Sequence, residues 1–127
     1  MAFQLDRFDH VVLTVASIEA SEDFYSEVLG MELLSDHGRH ALAFGVQKIN
    51  LHQKGHEYQP HAVHPTPGSA DLCFVTEAPI QEVVEYVTAM RVRIEEGPVE
   101  REGALGKMQS IYIRDPDRNL IEISKYL

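Results

Sequence analysis

With 127 residues, 44% of them hydrophobic and 24% charged, the chain has the size and composition of one globular domain with a core of its own. Its net charge of −9 is spread along the chain, which speaks against a nucleic-acid partner and an anionic membrane surface. No apolar run reaches the length of a membrane span, the N-terminus lacks a signal pattern, and the single cysteine, Cys73, has no intrachain partner. A disulfide framework and a cysteine-rich zinc site are excluded, and the expected compartment is the cytoplasm.

Residues 8–15 are β-branched and apolar and predict a strand. Ser17 can cap a helix starting at Ile18, with an apolar face of Ile18, Phe24, Tyr25, Val28 and Leu29, closed by Gly30. Three short strands follow, Met31–Asp36, Ala41–Val46 and Lys48–Gln53, with turns at Gly38 and Gly45. A proline- and histidine-bearing connector over 54–68 leads to a second strand–helix pair, Asp71–Thr76 and a helix opened by Pro79. Strand pieces at Arg93–Glu95 and Val99–Arg101 are split by Gly97-Pro98. Met108–Arg114 and Leu120–Lys125 are further strands, joined through a tight turn at Asp115-Pro116-Asp117-Arg118-Asn119.

The second half repeats the first. A shift of 61 residues lays His10 on Asp71, Val15 on Thr76, Tyr25 on Tyr86 and Leu29 on Met90. At the far end of each half, Ile49-Asn50-Leu51 corresponds to Ile121-Glu122-Ile123. Four positions are therefore equivalent: His10, Asn50, Asp71 and Glu122. Neither half can bury a sheet face alone, so two βαβββ units covering one another by pseudo-symmetry are expected.

This order, the opening Asp9-His10-Val11 and the closing run from Tyr112 through Asp115-Pro116-Asp117 to Leu120-Ile121-Glu122 resemble the vicinal oxygen chelate superfamily. Its members include glyoxalase I, the extradiol dioxygenases, and the fosfomycin- and bleomycin-resistance proteins. Asn50-Leu51-His52 and His64-Pro65-Thr66-Pro67-Gly68-Ser69 are most similar to small bacterial glyoxalase-like proteins and the glyoxalase-domain-containing protein 5 group. The resemblance implies an α+β fold in which two βαβββ modules, related by a pseudo-two-fold, form a cup-shaped mixed sheet. Residues 1–127 are then a single domain: module one 5–53, linker 54–68 and module two 69–127. It also implies a homodimer.

Residue by residue, the resemblance makes His10 the first-strand metal ligand and Glu122 the last-strand ligand. Asp71 stands where the related enzymes place a second histidine, and Asn50 where glyoxalase I places a carboxylate. The arginines that hold glutathione in glyoxalase I have no match here. A set of one imidazole and two carboxylates, His10, Asp71 and Glu122, suits a divalent Mn, Ni, Fe, Co, Zn or Mg ion without selecting among them. A metal-free cup, with His10 hydrogen-bonded to a carboxylate, is the alternative.

Strand alternation puts Ser110, Tyr112 and Arg114 on one face, and Lys48, Asn50 and His52 on another. Catalytic roles are assigned to Glu122, to Tyr112 as a hydrogen-bond donor to an oxyanion and to His52 as a general base. Substrate contacts are assigned to Asn50, Ser110 and, from the motif resemblance, His64. His56, His61 and His64 in the connector read as exposed side chains rather than a second metal site. The expected function is a glyoxalase-like, lyase- or isomerase-type metalloenzyme acting on a small vicinal-oxygen substrate or its thiol adduct. A metal-free sequestration protein of bleomycin-resistance type, or a fosfomycin-type thiol transferase, are the alternatives.

Overall fold

The computed structural model describes residues 2–127 and divides into two compact units, Met1–Pro67 and Gly68–Leu127. The first contains β1 (His10–Val15), α1 (Ile18–Glu27), β2 (Glu32–Asp36), β3 (Arg39–Phe44) and β4 (Gln47–Gln53). The second contains β5 (Asp71–Val75), α2 (Ile80–Ala89), β6 (Glu96–Gly103), β7 (Gly106–Arg114) and β8 (Leu120–Tyr126). The fold is α+β, two βαβββ units in sequence. No helix among the described residues is long and apolar enough to cross a membrane.

Each unit folds its strands into the same four-stranded mixed sheet. The orders are β1-β4-β3-β2 and β5-β8-β7-β6, with the first and last strands of a unit parallel and the remaining pairs antiparallel. The registers coincide as well. Val12 lies opposite Asn50 in the first unit, and its equivalent Cys73 lies opposite Glu122 in the second. The repeat read from the sequence is thus a repeat of hydrogen-bond register.

Alternation sorts the faces as expected. In the first unit Leu13, Val15, Leu42, Ile49 and Leu51 are buried on one side, joined by Tyr25 from α1. In the second, Ile111 pairs with Ile123 and Ile113 with Ile121, all buried, with Ile80 and Val87 of α2 also buried. The opposite faces carry the polar residues.

The local signals explain the boundaries. Ser17 is the N-cap of α1, its hydroxyl accepting from the Ala20 N–H at 3.1 Å, and Gly30 takes a positive φ of 67° just beyond. Pro79 sits at the N-cap of α2 rather than inside its first turn. The Asp115–Asn119 turn is locked by side chains. Asp115 accepts from the Asn119 N–H at 2.9 Å and from its amide at 2.8 Å, and Asn119 in turn accepts from the Ala70 N–H at 2.8 Å. Asn119 is 1% exposed, so the turn also fixes the start of β5.

One expected break is absent. Glu96 through Gly103 form a continuous strand with a register shift between Glu96 and Val99, instead of two pieces. Gly97 at φ 108° is the bulge residue. Arg93–Glu95 precede this strand as irregular backbone, anchored by the Glu95 N–H to the Tyr112 carbonyl at 2.8 Å.

Candidate functional site

The polar face of the second sheet centres on Glu122. Directly across the ladder lie Cys73 of β5 and Tyr112 of β7. The Ser124 hydroxyl donates to Glu122 Oε2 at 3.2 Å, and the Ser110 and Ser124 hydroxyls are 2.6 Å apart. The Cys73 sulfur is 3.3 Å from the same Ser124 oxygen. Ser124 has one proton; given to Glu122, it must accept from Ser110 and from the thiol. Burial, first among its causes, raises the Cys73 pKa, which keeps the S–H that this network uses. Ser110 and Ser124 are both fully buried, so the carboxylate is held by hydroxyls that have no access to water, while Cys73 at the edge of the network is exposed.

Tyr112 is held from the other side. Its hydroxyl accepts from Arg101 Nε at 3.0 Å, and the Arg101 guanidinium is anchored to Glu96 at 2.7 Å. The phenol's pKa is raised, by burial first and by the Glu122 charge, although Arg101 pulls the other way. The phenol therefore keeps its proton at neutral pH and can donate it while accepting from Arg101. A recess of about 340 Å³ lies along this face, lined by Cys73, Val75, Arg101, Met108, Glu122 and Tyr126 among others.

Sequence reading placed Glu122, Tyr112 and Ser110 on this face but missed Arg101. Arg101 lies opposite Met108, and its reach to Tyr112 depends on the bulge at Gly97. An arginine following a strand glycine on the same short segment was the available signal. Asp71, at the start of the same sheet's β5, is exposed and pairs in register with Leu120 rather than Glu122.

The first unit prepares its donors separately. His10 Nδ1 lies 2.9 Å from Asp9 Oδ1 with its side chain 42% exposed. With the proton on Nδ1, Nε2 retains its lone pair, the arrangement in which a carboxylate orients a metal-binding imidazole. Asn50 and His52 lie on β4, opposite Val12 and Thr14, and face a recess of about 360 Å³. The His52 ring meets Tyr58 edge-on at 5.5 Å, and its Nδ1 is buried without a hydrogen-bond partner. Burial lowers the His52 pKa, outweighing the opposite pull of Glu57, so the imidazole is neutral at pH 7. His64 is exposed in the connector, where its carbonyl accepts from the Thr66 hydroxyl.

Among the described residues no group of three or more His, Cys, Asp and Glu side chains is arranged to hold a metal ion. The donor chemistry nonetheless fits a divalent cation at the level of single residues. His10 offers an oriented imidazole nitrogen, and Glu122 offers a carboxylate with one oxygen steadied by Ser124.

Comparison with known proteins places this geometry. The chain is 56% identical over 124 residues, 97% of its length and 86% of the relative's, to the Virulence protein STM3117 of Salmonella typhimurium. The crystal structure of that protein matches with a TM-score of 0.97, over 98% of this chain and 100% of that one. A Glyoxalase domain-containing protein, RDO1 of Mycosarcoma maydis, is 50% identical over 119 residues, 93% of this chain and 67% of that protein. An integron cassette protein from the mobile metagenome of V. cholerae is 49% identical, with a TM-score of 0.97 and full coverage of both chains. The model of the Glyoxalase/Bleomycin resistance protein/Dioxygenase superfamily matches residues 7–123, and the chain belongs to that superfamily.

Proposed function

We propose that the protein is a glyoxalase-like metal-dependent enzyme acting on a small vicinal-oxygen substrate or its thiol adduct. The observation that carries this reading is the Glu122 carboxylate, braced by a fully buried serine pair and faced by a proton-bearing phenol. A sheet does not need such a group for folding. Buried hydroxyls aligned behind a carboxylate define its orientation, which is what a ligating or proton-accepting carboxylate requires.

In this reading His10, Asp71 and Glu122, the residues at the family's ligand positions, would hold one divalent cation, with Asp71 in the place of a histidine. Held there, the cation would supply Lewis acidity toward the substrate oxygen that gains charge. The chain's own residues do the rest. Tyr112 donates its phenolic proton toward an oxygen that gains negative charge, with Arg101 keeping the phenol in place. His52 is neutral at pH 7 and accepts a proton at Nε2, the ring nitrogen other than its buried Nδ1. Ser110, expected from the sequence to touch substrate, is fully buried against Ser124 and steadies it instead, while Asn50 and His64 contribute substrate contacts.

A metal-free binding protein is the second reading, favoured by the exposed Asp71, which sits opposite Leu120 in its own sheet. Metal analysis separates the two. Protein purified without chelators is expected to hold about one ion per chain, and His10→Ala and Glu122→Gln each to lose it while keeping the native circular dichroism. Chelation of the wild type should lower its melting temperature, and restoring the metal should raise it again. No stoichiometric metal after exposure to each of the six candidate ions, or full retention in His10→Ala, overturns the enzyme reading.

A further inference from the structure

The recess of the first unit has a property that the metal reading does not explain. Several polar groups face it without a protein partner. The chain has 11 basic residues against 20 acidic ones, so every cation has carboxylates to choose from. Arg7, Arg101, Lys107, Arg114 and Lys125 each pair with one. The side chains of Arg39, Lys48, Lys54, Arg91, Arg93 and Arg118 form no ion pair among the described residues, and of these Arg39 and Lys48 both line this one recess.

The surrounding residues favour a guest rather than an internal partner. The Arg39 guanidinium lies over the Tyr58 ring at 4.0 Å, a cation–π contact that uses none of its N–H donors in a hydrogen bond. Asn50, on the same face of β4 as Lys48, brings an amide without a protein partner among the described residues, and Ala41 opposite it keeps the floor low. His52 closes one wall with a buried, unpartnered Nδ1. The acid in the lining, Asp36, is engaged by His37 at 2.7 Å, and His40 by Glu22 at 3.0 Å. A planar cationic fork, an ammonium and an amide converging on one recess are the donors that an oxyanion needs. At about 360 Å³ the space suits a small metabolite.

We propose that the first unit carries a binding site for the oxyanion group, carboxylate or phosphate, of a small molecule, held by Arg39, Lys48 and Asn50. The site shares Asn50 and His52 with the proposed active site and in that respect rests on that reading, but it includes none of the metal ligands and is tested on metal-free protein. The full-length protein, stripped with chelator, is titrated by calorimetry in Tris chloride with sodium lactate and, separately, inorganic phosphate. Saturable binding in the millimolar range by at least one probe is expected. Lactate alone assigns a carboxylate, phosphate alone a phosphoryl group, and both a general oxyanion site.

Arg39→Gln and Lys48→Met should each weaken binding about tenfold or more, and Lys107→Gln, in a surface pair elsewhere, should leave it unchanged. Asn50→Asp keeps the side-chain size but adds a negative charge, and should abolish binding. That variant decides the matter if Arg39→Gln disturbs the Tyr58 stack. No saturable binding of either probe, or binding that survives the loss of both Arg39 and Lys48 or the charge at Asn50, overturns the proposal.

Discussion

His52 shows how one residue's surroundings set both its chemistry and the pH dependence of stability. Its Nδ1 is buried and unpartnered, and burial depresses the folded-state pKa below the ordinary value of 6.5. Above pH about 6.5 the folded and unfolded chains both keep this imidazole neutral. Below it the unfolded chain takes up a proton that the folded chain resists. The contribution is therefore complete above the unfolded pKa and is lost as pH falls through the folded one. Urea denaturation between pH 7.5 and 5 should show wild-type stability falling more steeply than that of His52→Gln; parallel slopes would refute the assignment. The position of His52 was legible from strand alternation, because Lys48, Asn50 and His52 share a parity. Its depressed pKa was not, since that comes from Tyr58 and its neighbours folding over the ring. Arg39 and Lys48 show the same limit. Their charges are visible in the sequence, but which of 20 carboxylates they would avoid was not.

At the scale of elements, the strand carrying Arg101 was the hardest to read and is the one with a built irregularity. Glycine and proline inside a strand normally signal a break, and β6 was expected as two pieces. It instead runs on through a bulge, with Gly97 at φ 108° tight against the neighbouring strand. A Cβ on Gly97 would stand 2.4 Å from the Ser110 carbonyl oxygen and 2.9 Å from the Ile111 Cα, both backbone atoms that cannot swing aside. Gly97→Ala should therefore cost on the order of 2 kcal/mol or more in urea unfolding. It should also disturb the Arg101–Tyr112 bond, since the same bulge sets the register of Arg101. Unaltered stability in the Gly97→Ala variant would show that the backbone there relaxes freely. By contrast α1, with its Ser17 cap and Gly30 stop, was legible almost to the residue because caps act locally. A bulge is defined by the partner strand, which the local sequence does not contain.

For the molecule as a whole, the repeat was the most informative reading, since it rests on alternation in both halves. The shared register of Val12 with Asn50 and Cys73 with Glu122 follows from that pattern. Dimers recur in the family, and association of two chains would account for a feature of the first unit. Phe3, Leu5 and Phe8 are 75%, 89% and 72% exposed, and Val12 on β1 is 44% exposed. Three of these large apolar side chains fall within residues 3–8, and exposed apolar side chains grouped in this way mark association surfaces when a second chain covers them. A symmetric dimer would present each patch twice and cover it by the same operation. Sedimentation equilibrium at micromolar concentration is expected to give about twice the chain mass of 14.3 kDa. Phe8→Asp combined with Val12→Asp should bring it to the single-chain mass with circular dichroism retained, because neither residue contributes to the buried core. A wild type that sediments as a monomer refutes the dimer. A dimer indifferent to both charges would keep the association but place it on another surface.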